Sequence, residues 1–195
     1  GRARYVADCE TPEQLRAALH LAMQRRLEVF VLGGGSNLLV ADTGFDGLVI
    51  RLTNADITLS WPLVCVGAGA VWDDLVAFTV DADLQGLECL SGIPGSVGAA
   101  PIQNIGAYGQ EVAETIADVH ALDRQTGRAV IFRGYDCGFG YRSSHFKASW
   151  RGRYIVWRVD FGLRPGGTAT LAYKQLRSKF PRWVEAHPSL PEVRE

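Results

Sequence analysis

A chain of 195 residues, 47% hydrophobic and 21% charged, has room to bury a sizeable core in one domain or two small ones. Its formal net charge of −1, with arginines scattered rather than gathered into a stripe, argues against a nucleic-acid partner. No apolar run approaches the roughly 20 residues that a membrane-spanning helix needs, and Gly1-Arg-Ala-Arg-Tyr5 leads into no signal-type stretch, so the chain is read as cytoplasmic.

In chain order, Gly1-Arg-Ala-Arg-Tyr-Val6 reads as a strand already under way. Thr11-Pro-Glu-Gln14 marks a helix start, with threonine as N-cap, proline at the first helical position and glutamine placed to reach back. Leu15, Ala18, Leu19, Ala22 and Met23 then recur at helical spacing, giving a face that covers a sheet. Residues 29–32 form a buried strand, Gly33-Gly-Gly-Ser-Asn37 a glycine loop, and residues 47–52 a second strand. A further strand at 63–66, a turn at Gly67-Ala-Gly69 and a helix over 72–83 follow, with Trp72, Leu75, Val76, Thr79 and Val80 on one face. Asp73 and Asp74 fall in that helix's first turn, where the dipole favours negative charge. Strands are expected at 118–123, 128–132 and 154–161, the first two joined as a hairpin through Arg124-Gln-Thr-Gly127. Beyond Arg164 the pattern thins to one short helix near 173–180 among Pro181, Pro188 and Pro191.

Cys9, Cys65, Cys89 and Cys137 form no CxxC pair, and His20, His120, His145 and His187 are equally dispersed. Metal motifs need tighter ligand spacing, so buried free thiols and no metal are expected.

The most informative segment lies between Glu88 and Glu111, where no charged side chain occurs. Its core, Ser91-Gly-Ile-Pro-Gly-Ser-Val-Gly-Ala-Ala-Pro-Ile-Gln-Asn-Ile-Gly-Ala-Tyr-Gly109, carries five glycines. Lacking a Cβ, glycine lets peptide N–H groups approach a phosphate or a flat ring. Gln103 and Asn104 supply amide donors and acceptors without burying a charge, and Tyr108 offers a ring with a polar tip. A tight turn followed by a small-residue helix is the alternative reading of this stretch alone. Gly33-Gly-Gly-Ser-Asn-Leu38 is not a Rossmann fingerprint, because Leu38 stands at the third glycine position and no helix follows. Nor is it a P-loop, since no Gly-Lys-Ser/Thr follows. It remains a strand-to-loop nest of N–H groups suited to a pyrophosphate, or a plain turn. Two such loops together suit a dinucleotide, one surface for the diphosphate and a separate one for the distant flat ring.

Val31-Leu-Gly-Gly-Gly-Ser-Asn-Leu-Leu-Val40, the run from Leu87 to Gly109, and Phe139-Gly-Tyr-Arg-Ser-Ser-His-Phe-Lys147 together resemble the UDP-N-acetylenolpyruvoylglucosamine reductase (MurB) family. The resemblance implies an α+β FAD-binding fold of two α/β subdomains, vanillyl-alcohol oxidase-like and of PCMH type, with the flavin between them. The subdomains would span 1–56 and 57–165, with 166–195 leading toward a substrate domain. By the same resemblance Gly33, Gly34, Gly35, Ser36, Asn37 and Leu38 would hold the diphosphate. Ile93, Gly95, Ser96, Gly98, Ala99, Ile102, Gly106, Ala107 and Tyr108 would line the isoalloxazine and ribityl chain. NADPH would be the hydride donor and UDP-N-acetylglucosamine enolpyruvate the acceptor, in a monomeric enzyme of peptidoglycan precursor synthesis. Arg142 matches the family's catalytic arginine, Tyr141 a substrate contact, and Tyr173 the tyrosine that some members fold over the sugar nucleotide.

The family's proton-donating serine and its partner glutamate belong to later segments that match nothing in these 195 residues. Ser143-Ser-His145 is not a nucleophile pair, for adjacent residues cannot form that geometry without a third orienting group. The chain is therefore expected to stop short of the third domain, and to lack a short leading segment. It should keep FAD and allow flavin reduction while turning over the enolpyruvyl sugar poorly. The alternatives are a non-catalytic flavin or nucleotide-sugar binding module, and another oxidase or dehydrogenase of this FAD fold. Many such oxidases attach flavin to a histidine, and neither glycine loop holds one.

Overall fold

A computed structural model describes residues 1–166, 168, 169 and 188–194. The helix expected near 173–180, and Tyr173 with it, lie outside the described residues.

The N-terminal sheet is parallel, in the order β1-β3-β2, from β1 (Ala3–Cys9), β2 (Glu28–Leu32) and β3 (Phe45–Leu52). Parallel neighbours require a crossover, and α1 (Pro12–Gln24) supplies the one from β1 to β2. Thr11 caps α1 as its sequence predicts: its Oγ1 accepts from Gln14 N at 3.2 Å, and Gln14 Oε1 accepts from Thr11 N at 3.2 Å. Such a cap is worth roughly 1 kcal/mol. Leu15, Ala18 and Ala22 of α1 pack on Cys9, Leu48 and Ile50 of the sheet. The same apolar cluster takes in Leu122 and Ile155 from the second sheet, so one core ties the two sheets together. The second crossover, from β2 to its neighbour β3, contains no helix; it is the glycine-rich loop beginning at Gly33.

The larger sheet is antiparallel, in the order β10-β9-β11-β5-β4. Its strands are β4 (Ile57–Ser60), β5 (Leu63–Gly67), then β9 (Ile116–Asp123), β10 (Ala129–Arg133) and β11 (Tyr154–Gly162). Asp123 closes the β9–β10 hairpin: its Oδ1 accepts from Gln125 N and Thr126 N, and Gly127 adopts φ 68°. One face of this sheet is covered by α2 (Trp72–Asp81), whose Trp72, Leu75, Val76 and Val80 meet Val64, Val66, Val119, Val159 and Phe161. Two further two-residue pairs join β6 (Leu84–Gln85) with β12 (Arg164–Pro165) and β7 (Gly106–Ala107) with β8 (Gln110–Glu111). A one-turn helix α3 (Ala100–Gln103) sits in the uncharged loop. None of the four cysteines is in a disulfide, and Cys9, Cys89 and Cys137 are buried; burial pushes the Cys89 and Cys137 thiols up to about 12.

The described C-terminal residues return to this core. Leu190, in a short helix at Leu190–Arg194, is fully buried, and Arg194 pairs with both oxygens of Asp73 at 3.0 Å at the start of α2.

Candidate functional site

The two glycine loops meet. A Cβ on Gly34 would lie 2.9 Å from Gly95 Cα, and one on Gly33 would lie 2.9 Å from Ser96 Oγ, while Ser36 Oγ donates to Pro94 O at 3.3 Å. The two surfaces expected for the two ends of a dinucleotide lie side by side: the loops form a single seam. The reason lies in how the second loop is held. Trp72 N donates to Gly95 O, Val97 N to Ala70 O and Gly98 N to Ala68 O, each at 2.9–3.0 Å. The buried Trp72 ring adds Nε1–H to Leu90 O at 2.9 Å. The start of α2 thus carries the loop to the end of the parallel sheet, where Gly33 emerges.

Two cavities open along this seam. The larger, about 990 Å³, runs from Gly33, Gly34, Gly95, Ser96, Gly98, Ala99 and Ile102 past Thr53, Ile155 and Val156 to Arg124 and Arg151. The smaller, about 400 Å³, is lined by Gly33, Gly34, Gly35, Ser36, Asn37, Leu38, Ile93, Gly95, Ser96, Ala99 and Ile102. Gly98 is glycine for a different reason from Gly34: a Cβ there would meet the Ala68 methyl at 2.6 Å. The motif residues Gly106, Ala107 and Tyr108 stand apart from both linings, in the β7–β8 hairpin. Tyr141 and Arg142 occupy the tip of a turn bridged by Gly140 and Ser143, with Tyr141 87% exposed. The structure links these two groups, since Arg142 Nη2 donates to Gly106 O at 2.9 Å. Gln103 lines the smaller cavity, but Asn104, read as a ligand-facing amide, is buried away from both. Its tight left-handed turn at φ 50° points it into the protein.

Sequence reasoning missed the charge on the walls. Arg51, Arg124, Lys147 and Arg151 line the larger cavity beside Glu28, Arg51 with its charge paired to Asp8 at 2.6 Å, and Lys147 lines the smaller as well. No spacing in the sequence could have revealed this, because the four come from β3, the β9–β10 hairpin and the segment before β11. Arg124 crosses between the sheets, donating to Val29 O at 3.3 Å and Gly152 O at 3.0 Å, and its burial lowers its basicity. Lys147 Nζ donates to Arg142 O at 2.9 Å. A long, partly apolar cleft with a seam of small residues and a cationic wall fits a ligand that is large, flat in part and anionic in the middle. FAD has that form.

The fold and cleft define a flavin-binding protein, and the chain belongs to the FAD binding domain family, whose profile matches residues 3–133. Within that class it is similar to UDP-N-acetylenolpyruvoylglucosamine reductase of Nocardia farcinica, at 48% identity over 177 residues covering 90% of this chain and 46% of the relative. The crystal structure of UDP-N-acetylenolpyruvylglucosamine reductase (MurB) from Thermus caldophilus matches with a TM-score of 0.71 at 32% identity, over 96% of this chain and 60% of that one. 6-Hydroxy-D-nicotine oxidase from Arthrobacter nicotinovorans shares the fold, with a TM-score of 0.64 at 20% identity over 84% of this chain and 37% of that one. These relatives match both the α+β FAD-binding fold and the reductase resemblance drawn from the three motifs. The chain spans about half the length of the curated relatives it matches.

Proposed function

We propose that these residues are the flavin-binding part of a UDP-N-acetylenolpyruvoylglucosamine reductase, a cytoplasmic, monomeric enzyme that uses NADPH to reduce UDP-N-acetylglucosamine enolpyruvate for peptidoglycan synthesis. The observation that carries this reading is the seam where Gly33 and Gly34 meet Gly95 and Ser96 between two cavities with a cationic wall. Residues 1–56 and 57–165 act as the two cofactor-binding units, and 166–195 lead toward the substrate-closing part.

FAD, when bound, supplies the hydride relay between the nicotinamide and the alkene carbon. The chain's own residues do the rest. The N–H groups of residues 33–37, with Lys147 near them, balance the diphosphate charge. The small residues 95–99 with Ile93 and Ile102 admit the flat ring and exclude water from it. Arg142, at the exposed turn, faces the substrate carboxylate and offsets the negative charge that builds as the hydride arrives, with Tyr141 beside it. A proton delivered to the neighbouring carbon completes the lactyl ether.

The test is to follow flavin absorbance and product separately. In the complete enzyme NADPH should bleach the flavin of both wild type and Arg142→Lys, whereas lactyl product formation should fall roughly 10²-fold or more in the variant. Equal turnover by Arg142→Lys would refute the assignment.

A further inference from the structure

Asn104 is 1% exposed, and all of its amide is committed inside the protein. Nδ2 donates to Glu111 Oε2 at 2.7 Å and to Gly140 O at 3.0 Å, and Oδ1 accepts from Ala113 N at 3.1 Å. One side chain thereby joins the end of α3, the strand β8 with the turn that follows it, and the turn carrying Tyr141 and Arg142. That turn is closed by Gly140 N to Ser143 O and Ser143 N to Gly140 O, both at 3.0 Å. Arg142 rides at its tip with φ 50°, a conformation that a long side chain adopts only under constraint.

The guanidinium of Arg142 returns to Gly106 O, two residues beyond Asn104. Segments 104–106 and 140–142 are therefore joined by two rungs, one from the Asn104 amide at the base of the turn and one from Arg142 at its tip. Ser144 Oγ to Ile102 O and Lys147 Nζ to Arg142 O brace the far side. If Arg142 is to swing from Gly106 O to an anion, the base rung is what keeps the turn seated against the cofactor loop. Only an amide serves at this point: it donates twice, to a carboxylate and to a carbonyl, accepts once, and tolerates the left-handed backbone.

We propose that Asn104 is the positioning residue for Arg142, acting through Gly140 O; this rests on the assignment of Arg142 to catalysis. Asn104→Asp alone sets a carboxylate against Glu111 and can unfold the loop, so the decisive variant is Asn104→Asp with Glu111→Gln. There the exchanged amide and carboxylate can still bond each other and Ala113 N, while the rung to Gly140 O is replaced by a carboxylate oxygen set against that carbonyl, two acceptors that push the turn away. Amide hydrogen exchange of the FAD-loaded chain is the first readout. Exchange at Gly140 and Ser143 should speed up about tenfold, the equivalent of one lost hydrogen bond, with residues 105–113 and the FAD dissociation constant unchanged. In turnover by the complete enzyme, kcat should fall about tenfold on the same reasoning. Unchanged exchange at Ser143, an equal rise across 105–113, or unfolding of the double variant would overturn the proposal. Arg142→Lys measured alongside separates the premises: if it keeps full turnover the catalytic assignment fails, while Ser143 exchange still decides the rung.

Discussion

Gly34 is the residue at which the cleft is most narrowly made. The obstacle to a side chain there is the main chain of Gly95, which cannot rotate aside as a side-chain end could. Gly34→Ala should therefore push the two loops apart, weakening FAD binding at least tenfold and costing about 1–3 kcal/mol of stability; fluorescence titration and thermal unfolding check both. The glycines were visible in the sequence, but their separate reasons were not. Gly34 serves a loop-to-loop contact, Gly98 a contact with Ala68, and Gly106 a hairpin whose Gln110 O a Cβ would approach at 3.0 Å. Composition likewise suggested that Asn104 faces a ligand, because burial is a property of the fold and not of the residue. The cationic wall was illegible for the same reason: Arg51, Arg124, Lys147 and Arg151 share nothing in sequence but their charge.

Elements long enough to repeat a pattern were readable. Helix α1 starts where its capping box predicts, α2 buries the face that its spacing names, and Arg124-Gln-Thr-Gly127 makes its hairpin. Elements of two to four residues, such as β6, β7, β8 and α3, carry no period and exist only because other segments hold them. The edge strand β4 was missed too, its four residues mostly exposed and so lacking an apolar signal. The contact between the Leu190–Arg194 helix and α2 is of the same long-range kind. Asp73 accepts from Arg194 and, through Oδ1, from Gly92 N at 2.7 Å, so the clamp reaches the first turn of the cofactor loop. These hydrogen bonds, Arg194 first, hold the Asp73 carboxyl below its usual range. Arg194→Ala should release the C-terminal helix at a cost of about 1 kcal/mol, seen as faster amide exchange at Leu190–Arg194 and a lower melting temperature.

Across the molecule, β11 runs on from the cleft, where Ile155 and Val156 line the larger cavity, to Asp160, which is buried. Burial alone would raise the Asp160 carboxyl. Hydrogen bonds with His120 Nε2 at 2.8 Å and from Arg158 at 2.7 Å outweigh it and hold the group well below the usual carboxylate range. A carboxyl depressed on folding stabilises the native state above its unfolded pKa of about 4 and loses that contribution as pH falls further. Melting temperature should accordingly drop steeply from pH 5 to pH 2. Asp160→Asn should flatten that slope and cost about 2 kcal/mol at pH 7, as read by calorimetry.

The central claim is that the seam between the two glycine loops is the FAD site. Amide exchange across the chain with and without FAD tests it most directly. Saturable one-to-one binding should protect residues 31–37 and 93–99 together; protection confined to other segments, or no binding at all, would contradict the account.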